Sequence, residues 1–160
     1  MDDDIAPIRI GLALGGGAVR GAAHIGVLEA LDLAGLQPAI ITGTSAGALV
    51  GALYANGMSP AEIAKVAQTL RWARLVRPGR TRKALFETSK LGQFLETALD
   101  GVDFDGLQRP FAAIACDLTT GREVVLRSGP VASAVLASAA IPGVFPRWTA
   151  TGTCSSTAAW

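Results

Sequence analysis

Ser45 sits inside Gly43-Thr44-Ser45-Ala46-Gly47, after the apolar run Ala39-Ile40-Ile41 and before Leu49-Val50-Gly51-Ala52-Leu53. This order predicts a strand, a sharp turn and a helix, with a hydroxyl at the apex. Small residues on both sides let the chain turn tightly and leave the oxygen exposed. The helix N-terminus behind the serine favours negative charge developing there. Such a setting turns a weak alcohol into a nucleophile toward an acyl carbon. The plain alternative is a glycine-rich helix start with no chemistry.

A second glycine cluster, Gly15-Gly16-Gly17-Ala18-Val19-Arg20-Gly21, follows the apolar run from Ile8 to Leu14. Consecutive glycines allow backbone N–H groups to converge on one anion. A dinucleotide site would want an acidic residue near the end of the second strand, but that strand is read as ending Ile40-Ile41-Thr42. A nucleotide P-loop needs Lys-Ser/Thr after the turn, where this chain has Arg20-Gly21. The remaining functional reading joins the turn to Ser45 as an oxyanion hole. Both features would lie at the carboxyl ends of adjacent parallel strands, where α/β sheets place their sites. Against it stands a tight turn whose glycines only permit close packing. Arg20 is open between bracing the turn and attracting an anionic substrate.

The elements that must hold these residues are legible as a β-α-β unit. Ile8 to Leu14 reads as a strand and Ala18 to Ala34 as a helix that Gly35 stops. Ala39 to Thr42 reads as a second, parallel strand. The helix behind Ser45 stops at Asn56-Gly57. Ser59-Pro60-Ala61-Glu62 opens another with the signature of a capping box, and it runs to about Leu70. Further on, Leu91 to Leu99 and Val131 to Ala139 read as helices, and Phe111 to Ala115 and Glu123 to Leu126 as strands joined through Thr119-Thr120-Gly121.

The 160 residues fit one domain with a real core. Half are hydrophobic and only 17% charged, so either much of the chain is buried or some apolar surface meets a partner or a membrane. The net charge of +1 does not point to nucleic acid. Cys116 and Cys154 have neither metal spacing nor a disulfide framework, and His24 is the only histidine, which argues against a zinc site. Met1-Asp2-Asp3-Asp4 is acidic where a secretory leader is basic, so the expected compartment is the cytosol. The uncharged stretch between Asp32 and Glu62 is broken by Gln37, Pro38 and Asn56 and does not read as a membrane span.

Four blocks in this order resemble the patatin-like phospholipase family, especially its small bacterial members. They are Gly15 to Val27, Gly43 to Gly47, Ala115 to Leu126 and Ala137 to Pro146. The resemblance implies a Ser-Asp dyad acyl hydrolase on an α/β fold, with a mostly parallel sheet flanked by helices. Ser45 would be the nucleophile, Gly15, Gly16 and Gly17 would form the oxyanion turn, and Gly43, Gly47, Arg20 and Gly21 would complete the motifs. It implies no metal and no organic cofactor. Ala18 stands where a further glycine is common, a departure expected to cost little. His24 is read as a packing or hydrogen-bonding residue, since the family uses no histidine.

The family's aspartate lies in Asp-Gly-Gly or Asp-Gly-Ala after the fourth block, and this sequence contains neither. Asp117 falls in a turn resembling a structural part of the family, and neither Asp103 nor Asp105 is assigned the role of base. The end of the chain, from Thr153 to Trp160, has no helical or strand period. Shifted back by one base, its codons allow His-Val-Leu-Val-Asp-Gly-Gly-Leu, the missing motif. The expectation is a single incomplete domain over 1–152 and a frameshifted, non-native tail over 153–160. Sequencing the gene tests this, and an immediate stop in the shifted frame would end it.

Arg71, Trp72, Arg74, Arg77, Arg80, Arg82 and Lys83 form a basic stretch with an aromatic anchor. Such a segment suits peripheral contact with an anionic membrane, and a solvated loop is the alternative. The resulting expectation is hydrolysis of a lipid or phospholipid ester through an acyl-serine intermediate. A catalytically silent lipid- or anion-binding module is the rival.

Overall fold

A computed structural model describes residues 9–69 and 89–140. The basic stretch, Cys154, residues 141–146 of the fourth block and the 153–160 tail lie outside the described residues.

Among the described residues the sheet has four strands in the order β1 (Gly11–Leu14), β2 (Ile40–Thr44), β3 (Phe111–Cys116) and β4 (Glu123–Leu126). The first three are parallel and β4 returns antiparallel to β3. Helices α1 (Ala23–Leu33), α2 (Ala46–Ala55), α3 (Pro60–Thr69), α4 (Ser89–Leu99) and α5 (Val131–Ala139) surround it. The expected α/β architecture with a mostly parallel sheet is what is observed. β3 is buried at Phe111, Ala112, Ala113 and Ala115, as an inner strand covered on both faces should be. β1, at one edge, buries only Leu14.

Arg9 and Ile10 of the expected first strand stay outside β1, Ala39 stays outside β2 and β3 runs one residue further to Cys116; two further differences have a physical reason. β2 continues through Gly43 to Thr44, because Thr44 still pairs with Ile114 of β3. Residues Ala18–Ala22 form a 3-10 turn ahead of α1 instead of its first α-helical turns.

α2 is the centre of the fold. All ten of its residues are buried, and it touches all three parallel strands and packs against α1, α3, α4 and α5. Its sequence is apolar all round, which is what a helix with no solvent face requires. α3 starts with the expected capping box. Ser59 Oγ accepts the Glu62 N–H at 3.3 Å, while the Glu62 carboxylate accepts the Ser59 N–H at 2.8 Å and its hydroxyl at 2.7 Å. These bonds hold the Glu62 carboxyl below its ordinary range. Apolar surface remains, with Leu33 84% and Val19 64% exposed. No helix among the described residues is long and apolar enough to cross a membrane.

Candidate active site

Ser45 is the hinge between β2 and α2, and its backbone is turned to φ 52°, ψ −116°. A non-glycine residue there is strained by about 1–3 kcal/mol, and such strain gathers at functional turns. The flanking glycines are required sterically. A Cβ on Gly43 would lie 2.5 Å from the Gly47 carbonyl oxygen, and one on Gly47 would run into the Leu14 carbonyl. The first turn of α2 therefore sits directly against the end of β1. By helix geometry the N–H groups of that turn have no partner within α2. The Ser45 N–H itself is spoken for: it donates to Ser138 Oγ at 2.8 Å, and that hydroxyl donates to the Ile114 carbonyl at 2.6 Å.

The glycine turn is brought to the same place. A Cβ built on Gly16 would lie 3.5 Å from Ser45 Cβ. His24 Nε2 donates to the Gly15 carbonyl at 2.8 Å. In a trans peptide the C=O and the following N–H point in opposite directions, so this bond turns the Gly16 N–H away from α1. The Arg20 N–H closes the loop onto the Gly17 carbonyl at 3.0 Å, and the Arg20 side chain is exposed. Gly21 lets the 3-10 turn lie on α2, since a Cβ there would meet Ala46 Cβ at 2.6 Å. Ala18 has φ 48°, a left-handed conformation that costs a residue with a Cβ roughly 1–2 kcal/mol. The cost of having alanine there is thus in the backbone, not in the number of donors.

Asp117 is committed to its own turn. Asp117 Oδ1 accepts the Thr119 N–H and Oδ2 accepts the Thr120 hydroxyl, both at 2.8 Å. These bonds, the backbone one first, hold its carboxyl below the usual range. With both oxygens engaged within its own turn, Asp117 is built as a turn residue.

Hollows open on both sides of Ser45. One, of about 230 Å³, is lined by residues including Ala18, Ala22, Ile25, Ala46, Leu49 and Ala67. The other, of about 350 Å³, is lined by residues including Thr44, Ile114, Cys116, Leu118, Glu123 and Ser138. The residue before Ser45 lines one and the residue after it lines the other.

Chemically, this is a hydroxyl at a strained bend, beside a glycine turn and a helix N-terminus. It is suited to attack on a carbonyl whose oxygen gathers charge. The structure brings together Gly15, Gly16, Gly17, Gly21, Gly43, Ser45 and Gly47, all singled out by sequence. Ser138 was not singled out. It lies within the fourth block and the helix expected over Val131 to Ala139, and no local spacing marks it as a partner of Ser45.

The patatin-like phospholipase family model matches residues 12–154. An uncharacterised NTE family protein of Mycobacterium tuberculosis is 37% identical over 139 residues, covering 85% of this chain and 38% of the relative. Patatin-like phospholipase domain-containing protein 6 of Mus musculus is 30% identical over 145 residues, covering 86% of this chain and 11% of that protein. The chain thus spans well under half of these relatives. Among solved structures, VipD from Legionella pneumophila superposes with a TM-score of 0.70 at 15% identity, covering 91% of this chain and 45% of VipD. The type III effector ExoU superposes at 0.60 and 19% identity, covering 86% of this chain and 40% of ExoU. At these identities the two structures bear on the fold alone.

Proposed function

The chain belongs to the patatin-like phospholipase family, and from that membership we propose that it is a lipid acyl hydrolase with Ser45 as its nucleophile. The observation that carries the reading is the strained Ser45 backbone at φ 52°, flush against the glycine turn and heading a buried helix. Ser45 Oγ attacks the ester carbonyl carbon as its proton passes to a general base. The carbonyl π electrons move onto oxygen, where N–H groups of the Gly15–Gly17 turn and the first turn of α2 meet the charge. Collapse returns that proton from the base to the leaving oxygen, expels the alcohol and leaves acyl-Ser45, which water then cleaves by the same sequence of steps.

The family's base is an aspartate in Asp-Gly-Gly or Asp-Gly-Ala, and neither string occurs in this sequence. We assign the base to no residue of this chain. Residual catalysis from the oxyanion donors and binding alone is about 10³–10⁴ over water, so slow turnover is expected. The apolar hollow beside Ala46 suits the acyl chain. The basic stretch from Arg71 to Lys83 suits contact with anionic lipid, which vesicle flotation with and without anionic headgroups would test.

A fluorophosphonate probe followed by mass spectrometry tests the nucleophile. Slow labelling at Ser45, lost in Ser45→Ala together with nitrophenyl ester turnover, is expected. An unlabelled Ser45 in a folded protein that still binds lipid would replace the enzyme reading with that of a lipid-binding module.

A further inference from the structure

We infer that Ser138 is a positioning residue for the nucleophile: its hydroxyl is inserted into the sheet ladder at the rung where β2 has to leave it. The inference rests on Ser45 being the nucleophile proposed above.

β2 and β3 are parallel, with Ile41 opposite Phe111 and Thr44 opposite Ile114. The Ile41 N–H donates to the Pro110 carbonyl at 2.9 Å. In a parallel ladder every second residue faces the same neighbour. Donors toward β3 therefore recur at positions 41, 43 and 45, and acceptors at 110, 112 and 114. The rung due next is Ser45 N–H to Ile114 C=O. Those two groups do not bond directly. The Ser45 N–H donates to Ser138 Oγ at 2.8 Å, and the same hydroxyl donates to the Ile114 oxygen at 2.6 Å.

A hydroxyl can do this because it is donor and acceptor at once. It keeps both backbone groups of the missing rung paired while Ser45 swings to its positive φ. Without it, the elbow would leave a part-buried N–H and a part-buried C=O unpaired, a penalty that favours relaxing Ser45 back into the ladder. Ser138 is held in the last turn of α5, which packs on β3. The same geometry gives the Ser45 amide to the sheet, so the oxyanion donors are the glycine turn and the first turn of α2.

The test compares wild type, Ser138→Ala and Ser138→Thr, with Ser133→Ala as a control on the same helix. The rate constant for fluorophosphonate labelling of Ser45 and the hydrogen exchange of the Ser45 amide are measured alongside melting. In Ser138→Ala, labelling is expected to fall about tenfold and amide exchange to quicken about tenfold, the scale of one net hydrogen bond. For a nitrophenyl ester, kcat falls with labelling and KM stays unchanged. Ser138→Thr restores both readouts, and Ser133→Ala moves neither. Wild-type labelling in Ser138→Ala with the amide still protected overturns the inference. If Ser138→Ala does not fold, Ser138→Cys decides: its thiol fills the space but bonds weakly, so unchanged labelling and amide protection overturn the inference, and loss of both supports it. If wild-type Ser45 is never labelled, the nucleophile reading fails, and amide exchange judges the inserted rung by itself. Protection lost in Ser138→Ala supports that rung, and protection kept refutes it.

Discussion

The two ends of α2 are built on opposite principles. At its C-terminal end every carbonyl of the last turn finds a donor. The Ala52 oxygen takes the Asn56 N–H at 2.9 Å, Leu53 takes Met58 at 3.1 Å, and Ala55 takes the Arg109 N–H at 3.1 Å. The Tyr54 oxygen takes both the Gly57 N–H at 3.1 Å and Arg109 Nη1 at 2.9 Å. The Arg109 guanidinium also lies 4.5 Å over the Tyr54 ring, a cation at the negative end of the helix dipole. The Tyr54 hydroxyl donates to Asp32 at 2.6 Å, and its pKa is pushed up to about 12, chiefly by burial and then by Asp32. At the N-terminal end the arrangement is strained and sterically tight, and helix geometry leaves donors pointing outward. One end anchors the helix, so the other can hold a costly conformation without relaxing.

Variants at the two ends should therefore separate stability from Ser45 reactivity. The largest effect is expected from Gly47→Ala, whose methyl meets the Leu14 carbonyl. Backbone must move, costing about 3 kcal/mol or more, and Ser45 labelling should vanish with the loss of stability. A fully reactive, stable Gly47→Ala would show that the two ends do not differ as described.

Arg109→Ala removes a donor to Tyr54 and the guanidinium over its ring. Chemical denaturation should show a loss of about 1–3 kcal/mol, with labelling of the folded protein unchanged. A drop in labelling would mean that the anchored end reaches the reactive one. His24→Ala should do the reverse. Freed from His24, the Gly15 carbonyl lets the turn wander, and labelling should fall about tenfold while stability changes by less than about 1.5 kcal/mol. His24→Gln, which keeps a donor, should recover part of the rate.

Ala18→Gly relieves a left-handed residue, offset by glycine's larger chain entropy. A net gain of about 0.5 kcal/mol in thermal unfolding is expected. The smallest effect concerns Asp117, whose lowered pKa means that its turn bonds stabilise the fold above the unfolded carboxylate range. That contribution is lost as pH falls through the lowered folded value. Wild type should melt slightly above Asp117→Asn at neutral pH, and the gap should close in acid. A gap that persists in acid would detach the turn from Asp117 ionisation.

Legibility in the sequence followed how local the cause was. The β-α-β unit, the capping box at Ser59 and the helix over Val131–Ala139 are written in short apolar periods and cap residues, and they are found where expected. The sequence reading ends β2 two residues short, because Gly43 is a poor strand former alone and extends the strand by pairing with Leu14 of β1 and Ala113 of β3. The 3-10 turn was read as α-helix, because five residues of periodicity cannot separate the two. What decides it is distant packing, Gly21 against Ala46. The sequence leaves His24 as a packing or hydrogen-bonding residue, and its partner, the Gly15 carbonyl, depends on how the turn folds back. Ser138 was not legible, since β2, β3 and α5 must all be in place before its hydroxyl has anything to bridge.

That dependence bears on synthesis. The Ser138 hydroxyl that accepts the Ser45 N–H lies 93 residues further along the chain. A ribosome can release the whole β-α-β unit, with Ser45 in it, well before Ser138 emerges. On the inserted-rung proposal, the Ser45 bend stays unseated until then. Ribosome-arrested chains of increasing length, exposed to the probe, should stay dark until the segment bearing Ser138 has cleared the exit tunnel.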